Sequence, residues 1–210
     1  NGGQGQLLSV RSDGTGFVDF LSGNLMEETS YSFSPDSKYI CYFEKIASDS
    51  QFQLKVINIE SPESVSYTRN FDNSSLPDFG PLKVDWSNEG EFIAYSIIND
   101  SISTIYIDYM NGDYSEIRLY DFFASMPVIS NDNKHLAFSS SDGVIWIRNI
   151  ADDNVVFSRI TDDNSTTYNV NPIWSPDKKS IIYEVFYNNS YNSLPTLYLS
   201  ELYFQEDHAE

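Results

Sequence analysis

The chain has 210 residues, with 12 Lys and Arg against 31 Asp and Glu, a net charge of -19 and a pI near 4.2. A field of that sign repels phosphate backbones and anionic membranes, which argues against nucleic-acid binding. The single cysteine, Cys41, excludes an intrachain disulfide and a thiolate metal cluster, and no apolar run reaches the length of a membrane-spanning helix.

The chain opens Asn1-Gly2-Gly3-Gln4-Gly5, an expected flexible linker over 1–5. The missing initiator Met suggests that something stood upstream, whether a signal peptide, a lipoprotein signal ending at a Cys, or simply more of a longer chain. Gln6 to Arg11, the turn Ser12-Asp13-Gly14-Thr15-Gly16 and Phe17 to Phe20 then look like two strands around a hairpin. This is half of a unit, over 6–20, whose other half is missing.

Four fuller units follow, near 31–70, 83–122, 127–161 and 172–202. Each begins with an apolar strand running into Ser, a short turn and an apolar pair. The four segments are Phe33-Ser34-Pro35-Asp36, Trp86-Ser87-Asn88-Glu89-Gly90, Ile129-Ser130-Asn131-Asp132-Asn133 and Trp174-Ser175-Pro176-Asp177. The serines stand 53, 43 and 45 residues apart, a period that marks a repeat architecture with one supersecondary unit per repeat. Pro presets φ in the turn, Asp bonds locally to backbone N–H groups, and Gly90 accepts positive φ, so turn chemistry accounts for these residues without catalysis.

After each turn come a second apolar strand, such as Phe92 to Ser96, and a third with clean alternation: Gln53 to Asn58, Thr104 to Asp108, Val144 to Arg148 and Thr196 to Leu199. A more polar fourth segment closes three of the units: Ser64 to Tyr67, Ser115 to Leu119 and Val155 to Ile160. Four antiparallel strands per repeat of this length make a propeller blade. The expectation is an all-β fold, a β-propeller of four-stranded antiparallel blades over 6–202, with four blades or five if the half unit counts separately. An N-terminal strand that completes the last blade would close the ring and protect its edges. Phe33, Trp86, Ile129 and Trp174 are expected in the core between blades, and Cys41 as a buried, inert thiol.

The run of aromatic, Ser-Pro-Asp, basic residue and apolar pair resembles the WD-like repeat of TolB-type β-propellers, most closely at Trp174-Ser175-Pro176-Asp177-Lys178-Lys179 and Phe33-Ser34-Pro35-Asp36-Ser37-Lys38. The turn around Asp13-Gly14 fits the same pattern. The second and third copies, Asn88-Glu89-Gly90 and Asn131-Asp132-Asn133, depart from the Pro-Asp-Gly that such repeats prefer. The resemblance implies a module that binds other envelope proteins or peptides through the propeller's axial face, and it transfers no individual binding residue.

Chemistry is sparse. No Gly-x-Ser-x-Gly nucleophile elbow occurs, and a Ser-His-Asp site would have to use His135 or His208. His135 occupies a variable second-strand position, where an exposed structural histidine is expected, and His208 lies in the acidic tail 203–210. Asp142-Gly143 reads as a two-residue hairpin turn. Asp162, Asp163 and Asn164 offer the hard oxygen ligands that calcium prefers, without EF-hand spacing, so calcium is the one cofactor to consider.

The sequence therefore predicts a non-catalytic protein- or peptide-binding propeller of a bacterial envelope or extracellular protein: periplasmic, lipidated or secreted. Its binding residues are sought in two long loops, at Asp72, Asn73 and Phe79 and at Tyr187 and Tyr191. Two alternatives stand beside this reading. One is a hydrolase-associated propeller, either a glycosidase or the gating propeller of a prolyl-oligopeptidase-like peptidase; the other is a structural repeat in a larger surface assembly.

Overall fold

The computed structural model describes residues 5–9, 13–15, 18–25, 31–45, 51–72, 83–99, 102–119, 124–151, 157–162, 166–187 and 194–202. Among them are seventeen strands and no helix. The hairpin β1 (Gly5–Ser9) and β2 (Val18–Leu25) precedes the first full unit, β3 (Ser32–Phe33), β4 (Tyr39–Lys45), β5 (Gln51–Asn58) and β6 (Ser61–Asp72). The second unit is β7 (Val84–Trp86), β8 (Phe92–Asn99), β9 (Ile102–Tyr109) and β10 (Tyr114–Leu119). The third is β11 (Ala124–Ile129), β12 (His135–Ser140), β13 (Ile145–Asn149) and β14 (Phe157–Arg159). The fourth contains β15 (Thr167–Trp174), β16 (Ser180–Tyr187) and β17 (Thr196–Glu201). Each unit forms one antiparallel sheet whose strands pair in chain order, the arrangement expected of propeller blades.

The Ser-turn is built alike in all four sheets. The backbone N–H of its fourth residue donates to the Ser carbonyl: Ser37 to Ser34, Gly90 to Ser87, Asn133 to Ser130 and Lys178 to Ser175, at 2.8 to 2.9 Å. That fourth residue is left-handed every time, with φ of 58° at Ser37, 73° at Gly90, 60° at Asn133 and 59° at Lys178. The Ser hydroxyl accepts from the N–H that starts the next strand, as from Tyr39 at 2.9 Å and Phe92 at 3.0 Å. In three turns it also donates to the Asp two residues on: Asp36, Asp132 and Asp177. Glu89 stands in that place in the second turn, where Ser87 Oγ instead accepts from the N–H of Glu91. The serines and aspartates thus close the turn, as turn chemistry requires.

The sheets stack in series. Trp86 packs with Cys41, Phe43 and Leu54 of the first sheet, Ile129 with Phe92, Ala94 and Ile105 of the second, and Trp174 with Val128, Ala137 and Ile145 of the third. The residue before each Ser therefore reaches back onto the preceding sheet. Phe33 departs from the expected core position and is 57% exposed, because among the described residues no sheet precedes its own. The far end shows the converse. Val128, Ala137 and Ile147 are buried under the fourth sheet, whereas the matching row on that sheet, Ile173, Ile182 and Leu199, is 58%, 40% and 60% exposed. Cys41 is fully buried, its thiol pushed up to about 12 by burial, with Sγ 3.4 Å from the Ser32 carbonyl.

Three further expectations are corrected. The N-terminal strand does not complete the last sheet: β1 pairs with β2, and β2 joins the first sheet through Leu25 opposite Glu44. A local hairpin closes a short loop at little entropic cost, and β4 extends past the two-residue β3, leaving an edge for β2 to meet. The half unit is therefore part of the first sheet rather than a fifth blade. The Asp142-Gly143 turn has a three-residue loop, since Ser140 N–H bonds the Val144 carbonyl and Gly143 N–H the Ser140 carbonyl, with Gly143 at φ 78°. His135 is half-buried rather than exposed, its ring tilted against Trp174 at 6.2 Å between centroids.

Candidate functional site on the inner strands

The first strands of the sheets, β3, β7, β11 and β15, lie next to one another in series and form the inner wall of the array. In the third and fourth sheets this strand is interrupted. Register is lost between Ser125 and Val128 and between Val170 and Ile173, and in each gap stands a non-glycine residue with φ of 54°, Met126 and Asn171. Both precede a proline, Pro127 and Pro172, and both lie four residues before the Ser of their turn. Proline cannot donate to the ladder, so the bulge is where the pairing yields. A left-handed Met costs about 1 to 3 kcal/mol and persists only where its surroundings impose it, a kind of strain that gathers at functional sites. Asn171 is better suited to the conformation, and its Nδ2 donates to Glu184 Oε2 at 2.8 Å.

The second sheet has charge at the same level. Lys83 and Asp85 flank Val84 on the way to Trp86. Burial lowers the Lys83 ammonium pKa, and the Asp85 charge works against that. Burial raises the Asp85 carboxyl pKa, opposed by the Ile129 N–H, which donates to Oδ2 at 2.7 Å, and by Lys83. The inner strands thus carry a desolvated ammonium, a carboxylate held by the next strand, an amide bonded to Glu184 and a thioether.

The opposite role falls to the Ser-turn ends. Asn88 N–H donates to Asn133 Oδ1 at 2.8 Å, Asn131 Nδ2 to the Pro176 carbonyl at 3.0 Å, and Lys178 Nζ to Asp132 Oδ2 at 2.9 Å. Burial opposes ionisation of Asp132, but the Ser130 hydroxyl, Lys178 and the Lys134 N–H outweigh it and hold the carboxyl well below its ordinary value. These contacts clip successive turns together.

Two of the expected loop residues, Asp72 and Tyr187, fall at the other end of the sheets. Asp72 ends β6 and Tyr187 ends β16, opposite Gln51 and Thr167 respectively. Since β7 ends at its Ser-turn, and β16 starts at one, both loops leave from the rim away from the Ser-turns. Tyr187 is 42% exposed and shares a 2.5 Å hydrogen bond with the Tyr198 hydroxyl. Asn73, Phe79 and Tyr191 lie outside the described residues, as do Asp163 and Asn164. Asp162 is exposed between β14 and β15, on the same rim. Among the described residues no three His, Cys, Asp or Glu side chains cluster as metal ligands. Sequence reasoning missed Met126 and Asn171. Their signal was the X-Pro pair at a fixed offset from Ser in only two of four repeats.

No family model matches the chain, and no curated protein does. Solved structures do. A provisionally named TolB from Agrobacterium tumefaciens superposes with a TM-score of 0.62 at 18% identity, over 82% of this chain and 60% of that one. The TolB of Acinetobacter baumannii gives 0.61 at 17%, over 93% and 46%. The chain has a TolB-like β-propeller fold. An oligogalacturonate lyase from Vibrio parahaemolyticus shares the propeller at a TM-score of 0.67 and 12% identity, over 92% of this chain and 55% of that one. The chain spans about half the length of these structures.

Proposed function

We propose that this TolB-like propeller is a non-catalytic binding module for a protein or peptide segment, acting outside the cytoplasm in a bacterial envelope or beyond it. The observation that carries the reading is the pair of left-handed, pre-proline bulges at Met126 and Asn171 on the inner strands, beside Lys83 and Asp85. The register breaks take Met126, Pro127, Asn171 and Pro172 out of the regular ladder, and main-chain groups outside a ladder are what an extended peptide needs for recognition. The two loops that begin after Asp72 and Tyr187, with Asn73, Phe79 and Tyr191, would form the rim over which the segment enters. The TolB likeness supports the module reading, and Asp162 with Asp163 and Asn164 stays a calcium candidate on that rim.

The enzymatic reading rests on the likeness to the lyase and to a prolyl endopeptidase, the latter at a TM-score of 0.56 and 12% identity, and that likeness concerns the fold alone.

A phage-displayed peptide library panned on the immobilised chain tests the proposal. Selected peptides should lose binding to Asn171→Ala and to a variant with alanine at Asp72, Asn73, Phe79, Tyr187 and Tyr191, while binding Asp36→Ala unchanged. Undiminished binding to both altered forms would refute the location. Failure to enrich any peptide would count against the function itself.

A further inference from the structure

The junction between the first and second sheets is sealed by a complete ionic network. Asp108, fully buried, accepts from the Tyr95 hydroxyl at 2.6 Å, the Tyr67 hydroxyl at 2.8 Å and Arg69 at 2.5 Å. Arg69 in turn lies over the rings of Tyr106 and Tyr114, 4.3 and 4.4 Å from their centroids.

The registers fix the corresponding place one junction later. Asp108 pairs with Ile93 and Arg148 with Leu136, each one step in from the pair that opens the strand after the Ser-turn. Arg148 thus stands where Asp108 does, with the opposite charge. Each partner has changed as well: Phe138 replaces Tyr95, Ser115 replaces Tyr67 and Ile117 replaces Arg69. Its ladder neighbours are Leu136, fully buried, and Phe157, whose ring centroid is 5.5 Å from the guanidinium. Among the described residues Arg148 has no carboxylate, and its Nε is buried without a hydrogen-bond partner. Burial lowers its pKa with no opposing charge. The Nη atoms, unlike Nε, are not sealed off from solvent.

A half-buried guanidinium framed by apolar side chains and lacking a counter-ion is costly to keep in a protein with 31 acidic residues. We propose that Arg148 is a receptor for a carboxylate, supplied by a ligand that approaches the second and third sheets near their Ser-turn ends and completes the ion pair that the first junction holds internally. Arg presents a planar fork matched to a carboxylate, and the Phe157 ring holds that fork in place. Arg148 stands on β13, two strands out from the inner strand β11 and at the end opposite the rim loops, so it is separate from the peptide surface proposed above.

The test follows the Arg148 Nε–Hε resonance of the arginine-¹⁵N-labelled chain, assigned by its disappearance in Arg148→Lys. Sodium acetate and acetyl-Ala-Glu-Ala-amide are titrated separately, each against sodium chloride at equal ionic strength. A saturable shift with acetate, absent with chloride, is expected. Saturation by the peptide at lower concentration than acetate would place the carboxylate on a polypeptide, and the reverse would place it on a small molecule. If neither probe moves the resonance further than chloride does, the guanidinium is a packed structural group and the proposal falls.

Discussion

The indole N–H of Trp174 donates to the backbone carbonyl of Val128, one sheet earlier, at 3.1 Å. Trp86 makes the equivalent bond to the Ser32 carbonyl, also at 3.1 Å. At the junction between them the aligned residue is Ile129, which has no donor ring, and the link there runs instead from its backbone N–H to Asp85 Oδ2. Each junction thus has one polar tie at its inner edge, built from different groups. Replacing Trp174 with Phe removes the donor while leaving most of the apolar contact, and should lower stability by about 1 to 2 kcal/mol in denaturant titration.

The charge network at the first junction should be harder to alter. Arg69→Met leaves Asp108 buried without its cation, and a loss of about 3 to 5 kcal/mol is expected. Tyr95→Phe removes one of two hydroxyl donors and should cost about 1 to 3 kcal/mol. Measuring both singly and together would show coupling, because the two side chains share one carboxylate.

Turn conformation gives a prediction of opposite sign. Ser37 holds φ at 58° without glycine's freedom, so Ser37→Gly should stabilise the fold by about 0.5 to 1 kcal/mol. Gly90→Ala should destabilise it by about 1 kcal/mol for conformational reasons alone, since an added Cβ would meet Pro35 Cδ at an ordinary 3.7 Å. Thermal melts of the two variants check both.

These turns show how far the sequence could be read. The Ser–Asp pairs and the period announce the sheets because turn residues act locally, through neighbours two to five positions away. The bulges at Met126 and Asn171 left only the trace of an X-Pro pair at a fixed offset from Ser, since a left-handed φ follows from strand pairing rather than from residue type. Nor was the fate of the N-terminal hairpin, which depended on β3 being too short to cover β4. Phe33 shows the same limit: its type and position match Trp86, and only the lack of a facing sheet among the described residues sets it apart.

Acid and base should act on Asp85 and Asp132 in opposite directions. Burial raises the folded-state pKa of Asp85, so its favourable contribution is complete below its unfolded value and is lost as pH rises through the folded one. Asp85→Asn, which keeps an acceptor for Ile129, should therefore gain more stability at about pH 8 than at about pH 3. The Asp132 pKa is depressed, so its contribution is present above the unfolded value and disappears as pH falls. Asp132→Asn should cost stability at neutral pH and little in acid.

The two ends of the apolar row can be compared directly. Ala137→Lys places an ammonium between the third and fourth sheets and should cost about 3 kcal/mol or more, whereas Ile182→Lys, at the matching place on the fourth sheet, should change stability by within about 0.5 kcal/mol. Circular dichroism melts at matched concentration would separate them.

The central claim is that a peptide segment is held on the inner wall, and hydrogen–deuterium exchange with and without a selected peptide tests it most directly. Protection is predicted in β7, β11 and β15, strongest around Lys83 to Asp85, Ser125 to Val128 and Val170 to Ile173. Protection confined to the outer strands β6, β10 and β14, with the inner strands unchanged, would contradict it.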